Sequence, residues 1–370
     1  MVDISSFRWG FATASLSMQG QHTLEVKFQA LKDAGFKYTE LGMGGFIEWV
    51  RQQNPNLPPS TAPVEWADAG EPDPSDAELW DALYSYAPKV IELAKSYGIT
   101  ILMLQPLNQF EGWAKGTRRA EWSRAKAEKW LPLCAKLGVE QIQVGSNDHL
   151  PADFEDSKVA EDLRWLAELG AAQKPPVKIA YESWSFGTRI VSWEHTWKLV
   201  QEGNHPNLGL CLDTAHFPFG TGYGWDVLAP KMWSEEDFQA LLGRLRAVPA
   251  DKIFYVELAD VVPVTKALGK GSRFDEWRAK ANSPRGDTFV WATCGRCLPE
   301  VGSDAGRGNE KGAARVAEAL KAILDTGFNG PLLFEPFESL SMESGDDVPT
   351  AYAHAGAKSR QLLIEAIKKL

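Results

Sequence analysis

The stretch "VKIAYESWSFGTRIVSWEHTWKLVQEGNHPNLGLCLDT" (177–214) decides the fold. It opens on an apolar run, "VKIAYES" (177–183), passes through a helical pattern, "WEHTWKLVQEG" (193–203), and returns to a second apolar run, "LGLCLDT" (208–214). Two short core strands joined by a helix pair in parallel through a right-handed crossover. Both runs close on an acid, Glu182 and Asp213, and His216 follows Asp213 by three positions.

Outward from this unit the same alternation repeats. Toward the N-terminus the strand-like runs are "WGFATAS" (9–15), "FKYTELGM" (36–43), "TILMLQPL" (100–107) and "VEQIQVGS" (139–146); toward the C-terminus they are "KIFYVELAD" (252–260) and "PLLFEPF" (331–337). Amphipathic stretches such as "TLEVKFQALKDAG", stopped by Gly35, separate them. Eight strands with intervening helices, and no glycine-rich phosphate loop after the first, favour a closed (β/α)8 barrel of the α/β class over an open nucleotide-binding sheet. The reading is one barrel domain over 1–370, with a long loop insertion around 44–79 and a second around 217–234, where Tyr223 and Trp225 are candidates to line the mouth.

Composition narrows the function. The net charge of -10 argues against nucleic acid as the main partner. There is no run of roughly 18 apolar residues to span a membrane. The N-terminus lacks a basic start before an apolar block, so no secretory signal is expected. Of four cysteines, Cys294 and Cys297 form a C-x-x-C pair without the second pair a zinc site needs; reduced thiols in a cytoplasmic protein are the expectation. Among the 15 tryptophans, Trp113, Trp122, Trp130 and Trp165 fall in helical patterns and are expected to pack, whereas Trp184 and Trp291 lie in loops and are candidates to wall a pocket. The partner expected is a small molecule, with self-association into a homo-oligomer left open.

In such a barrel, reactive groups stand at the C-terminal ends of strands. There "IAYE" ends at Glu182, "LCLD" at Asp213, "FYVE" at Glu257 and "LLFE" at Glu335. One acid at a strand end is as readily a cap, but four in one register converge on a small volume where like charges cannot all stay ionised. A bound divalent cation removes that cost. All-oxygen ligands suit Mg²⁺, Mn²⁺ or a similar hard ion, with zinc not excluded. His216 reads either as a general base beside that site or as a loop histidine bonded to backbone.

On these residues the chain resembles the xylose isomerase-like barrels, the group of sugar isomerases, epimerases and family 2 endonucleases. There a Glu, an Asp, a His or Gln, and a Glu from the last four strands bind the catalytic metal. Glu182, Asp213 and Glu335 match, while Glu257 stands where that group usually has a neutral ligand. The spacings "LQP…FEG" and "YE…W…G…WE…W…V…PN.GLCLDT" are similar to those of fungal and bacterial 3-dehydroshikimate dehydratases. That resemblance implies a metal-dependent lyase forming an enolate, with His216 as base and Glu182 and Glu335 acting at the metal. It also implies a segment of arginines that receives the substrate's acid. Here that segment reads "SPRGDTFVWATCGRCLPE", with Pro284, Arg285, Trp291 and Arg296 matched across about three extra residues and Thr293 in place of the middle arginine. Arg285, Arg296, Trp184 and Trp291 are thus the expected substrate contacts, since arginine suits bidentate carboxylate binding. The alternatives are a sugar or keto-sugar isomerase or epimerase shuttling protons between Glu182 and Glu335, and a barrel that has lost catalysis.

Overall fold

Parallel strands separated by helices close here into one ring. The computed structural model describes residues 3–67, 70–149, 155–219, 231–263, 272–281, 285–342 and 345–370. The first half runs β1 (Trp9–Ala12), α1 (Leu24–Asp33), β2 (Tyr38–Gly42), α2 (Met43–Gln53), α3 (Ala77–Ser96), β3 (Thr100–Gln105), α4 (Arg118–Leu137), β4 (Gln141–Gly145), α5 (Asp156–Ala171), β5 (Lys178–Glu182), α6 (Trp193–Gly203) and β6 (Leu208–Asp213). The second continues with α7 (Glu235–Arg246), β7 (Ile253–Leu258), β8 (Asp260–Val261), α8 (Arg273–Ala281), α9 (Asp287–Cys294), β9 (Arg296–Cys297), α10 (Val316–Leu324), β10 (Leu332–Phe334), α11 (Ser339–Met342) and α12 (Val348–Ile367). The barrel order is β1-β10-β7-β6-β5-β4-β3-β2, all parallel, and each expected strand is present. The fold is a (β/α)8 TIM barrel.

Side chains alternate between lumen and helix layer, and that period places the site. The lumen is floored by Met103, Ala180, Cys211, Tyr255 and Leu333, with Tyr38 against them. Two residues further along the same strands come Gln105, Glu182, Asp213, Glu257, Glu335 and Glu40, all buried at the C-terminal ends. To the lumen β1 contributes only the small residues Gly10 and Ala12, and a Cβ on Gly10 would lie 2.6 Å from the Tyr38 carbonyl oxygen of the neighbouring strand. The much larger second core lies between strands and helices and takes in Trp130, which is 0% exposed.

The structure departs from the sequence reading in three places. Residues 44–53, assigned to the loop insertion, form α2 together with Met43, the last residue of the expected strand 36–43; the Gly44–Gly45 pair has low helix propensity and hides the buried face of Phe46, Ile47, Trp49 and Val50. The run 252–260 is not one strand, because Asp260 leaves the barrel and β8 pairs antiparallel with β9. Trp291, expected in a loop, is on α9 and 0% exposed. In the 217–234 insertion, Tyr223 and Trp225 lie outside the described residues, as does Pro284. No helix among the described residues is long and apolar enough to cross a membrane. All four cysteines are buried, and neither Cys294 nor Cys297 joins a metal-ligating cluster among the described residues.

The loop from 54 to 76 is held down on α4. Glu71 accepts from Lys126 Nζ at 2.9 Å and from Trp130 Nε1 at 2.9 Å, while Asp73 accepts from Trp122 Nε1 at 2.7 Å. The Lys126–Glu71 side chains are 1% and 3% exposed, so neither charge has water to fall back on. Removing one partner of a buried pair strands the other. Lys126→Ala is expected to lower stability by about 3–5 kcal/mol, measured by urea denaturation, and Lys126→Met combined with Glu71→Gln to recover part of it.

Candidate metal centre

Four carboxylates meet above the lumen floor. Glu182, Asp213, Glu257 and Glu335 each offer an oxygen, and these four atoms lie within 4.8 Å of one another. Each residue is at most 4% exposed. Like charges repel by roughly 4 kcal/mol per pair at such a separation, so the cage cannot stay fully ionised without a cation. Burial first, and the neighbouring acids second, hold the carboxyls of Glu182 and Glu257 well above the ordinary range. Burial raises Asp213 to about 7 against the opposing pull of Arg296, and raises Glu335 likewise.

Neighbouring donors aim each carboxylate. Gln105 Nε2 donates to Glu335 Oε1 at 3.0 Å, and Gln143 Nε2 donates to Glu182 Oε2. Trp184 Nε1 donates to that same Glu182 oxygen at 2.7 Å. The Ala215 amide donates to Asp213 Oδ1 at 2.8 Å, and Tyr255 Oη and Cys211 Sγ donate to the two oxygens of Glu257 at 3.0 and 3.2 Å. The other oxygen of Glu182, Oε1, is buried and accepts no hydrogen bond. An orphaned carboxylate oxygen among converging hard donors fits a divalent cation. Trp184 can lie across the strand end because residue 145 is glycine; a Cβ there would come within 2.2 Å of the indole.

His216 sits beside the cage, 3% exposed, with Nε2 3.5 Å from Glu182 Oε1 and 3.6 Å from Asp213 Oδ2. Its Nδ1 lies 2.9 Å from Ser185 Oγ. Burial, with Arg296 adding to it, pushes the imidazole well below its ordinary range, so it is neutral. With Glu182 and Asp213 it forms a second group whose atoms are close enough to hold a metal ion.

The expected substrate contacts separate. Arg296 points into the cage: Nη1 donates to Asp213 Oδ2, Nη2 donates to Glu335 Oε2 at 2.7 Å, and Nη1 stands 3.3 Å from His216 Nε2. Burial works against its charge, but Asp213 and Glu335 hold it above the ordinary guanidinium range. Arg285 lies outside the cage, paired with Asp148, its guanidinium 4.2 Å over the Phe289 ring. Phe289 packs on Phe186 at 5.1 Å, and Phe186 packs on Trp184 at 5.2 Å and on His216 at 5.8 Å, so Arg285 joins the aromatic wall from its outer side. Trp291 is core.

Sequence reasoning missed Glu40, Gln105 and Gln143. Glu40 is a fifth buried carboxylate; burial first, then Glu257, Glu335 and Glu182, hold it well above the ordinary range as a neutral acid. The signal was available, since "YTELG" carries an acid two residues before the end of β2, as "KIAYE" carries one at the end of β5.

The family model described as "Xylose isomerase-like TIM barrel" matches residues 28–359. A 3-dehydroshikimate dehydratase of Neurospora crassa is 26% identical over 359 residues, covering 94% of this chain and 90% of that one. A protein of the same name from Pseudomonas putida is 28% identical over 255 residues, 69% of this chain, and the match spans about a third of that relative, 32% of its length. In fold, the IolI protein solved with a bound zinc atom superposes with a TM-score of 0.59 at 15% identity, covering 98% of both chains. The matched residues include every carboxylate of the cage, and the chain belongs to the xylose isomerase-like TIM barrel family, as an enzyme of that superfamily.

Proposed function

We propose that the protein is a divalent-metal-dependent lyase that eliminates water from 3-dehydroshikimate or a closely similar cyclic keto acid. The observation that carries this is a neutral histidine packed against a four-carboxylate cage, in a chain that aligns over 94% of its length with a protein named for that reaction. Glu182, Asp213, Glu257 and Glu335 would hold the ion, which supplies a Lewis acid for the substrate ketone. His216 then takes the proton from the carbon next to the ketone. Its Nε2 faces the cage, 3.5 Å from Glu182 Oε1 and 3.3 Å from Arg296 Nη1, and is the ring nitrogen placed to take that proton. The C–H electron pair moves into the ring, the hydroxyl on the following carbon leaves, and the protonated His216 returns its proton to make water. Loss of water from such a ring leads to an aromatic catechol acid. Arg285, beside the aromatic wall, is suited to meet the substrate's carboxylate at the rim.

A second reading, an epimerase or isomerase acting on a keto-sugar, draws support from Glu182 and Glu335. Burial raises both carboxyls above the ordinary range, the direction a proton-carrying pair requires. Solvent deuterium entering a ketose without elimination would favour it.

Incubation with 3-dehydroshikimate and Mg²⁺ or Mn²⁺ is expected to generate the ultraviolet absorbance of the catechol acid; none with any divalent metal would remove the dehydratase reading. Glu335→Ala is expected to lower bound metal and turnover together, with metal content measured by elemental analysis. By contrast, His216→Asn is expected to keep its metal while kcat falls by about 10²–10⁴-fold.

A further inference from the structure

We infer that Arg296 is the cation that occupies the carboxylate cage until a divalent ion displaces it, so that metal loading and release of this arginine are one event. The inference rests on the metal reading above. The guanidinium bonds two of the four cage acids, Asp213 and Glu335, and its side chain is 5% exposed, so it supplies positive charge where the acids converge. A divalent ion drawing on the same carboxylates and a guanidinium on top of it would set cation against cation among side chains at most 5% exposed, where solvent screening is weak. One of the two must leave.

Only the side chain is free to go. The Arg296 backbone is fixed by the β8–β9 pairing and by reciprocal bonds with Phe337, at 3.0 Å to its carbonyl and 2.9 Å from its amide. Within the cage the arginine is incompletely satisfied, since its buried Nε–H has no acceptor. A berth that leaves a donor unpaired is one the side chain can exchange for a better anion. Once displaced, the guanidinium stays tethered at the mouth beside His216. The carboxylate of an acid substrate, which can take two parallel N–H bonds, is the anion that matches it. Metal binding therefore prepares the acid-binding position, and the order is metal first, acid second.

Titration of the EDTA-stripped protein with Mn²⁺ alone tests the displacement. Arg296→Gln is expected to bind Mn²⁺ at least tenfold more tightly than the native chain, and its metal-free form to melt at lower temperature. Equal or weaker binding in Arg296→Gln would overturn the inference while leaving the metal site intact. Failure of Mn²⁺ to bind either protein would overturn the metal reading and this inference with it. A second measurement needs no variant: crystals of the native chain with and without Mn²⁺ are expected to show the guanidinium withdrawn from Asp213 only in the loaded form, and an unchanged Arg296–Asp213 pair beside bound Mn²⁺ would refute the exchange. Binding of 3,4-dihydroxybenzoate, followed by calorimetry, is expected only for the Mn²⁺-loaded native chain and to weaken at least tenfold in loaded Arg296→Gln; equal binding by the metal-free chain would overturn the order.

Discussion

Repulsion among acids that the barrel forces together is the constraint to which the mouth of this protein answers. Parallel strands that close into a ring aim their last inward residues at one axis, and five of those residues are glutamate or aspartate. Each neighbouring feature reduces the resulting cost: amide and indole donors from Gln105, Gln143 and Trp184, a phenol and a thiol under Glu257, a proton kept on Glu40, and the guanidinium of Arg296. The carboxylates themselves, held firmly at the ends of strands rather than on loops, do not need to reorganise when a cation arrives; the Arg296 side chain is the part that moves.

The two layers of the lumen divide the labour. The lower layer is largely apolar and gives the barrel its packing. The layer two residues above is polar on nearly every strand, and its burial makes each charge there expensive. Glu257 adds to that expense, since relatives of this kind are expected to place a neutral ligand at its position. With a divalent ion bound, four ionised carboxylates leave the cage two charges negative, which makes arginine near the mouth a requirement for any anionic substrate rather than an ornament.

The ring of strands was legible because buried parallel strands read as short apolar runs, and their terminal acids were legible because the register repeats from strand to strand. Glu40 obeys the same rule on β2, outside the run of four consecutive strands that makes the pattern conspicuous. Gln105 and Gln143 carry no charge and so give no signal against the apolar background. Arg296 could be named but not located. Its direction depends on a two-residue strand and on backbone bonds to Phe337, which is 41 positions away in sequence and invisible to periodicity. The same holds for Trp291, whose eight-residue helix is rich in residues that suit a loop or strand as readily.

Gly145 touches no substrate and bears no charge, yet it decides where Glu182 points. Its missing methyl is the space in which the Trp184 indole lies, and that indole steers one oxygen of Glu182 while leaving the other turned into the cage. The affinity of the cage for a cation therefore depends on a position whose only property is volume. Drift at residue 145 would register as altered metal retention long before it registered as a damaged barrel.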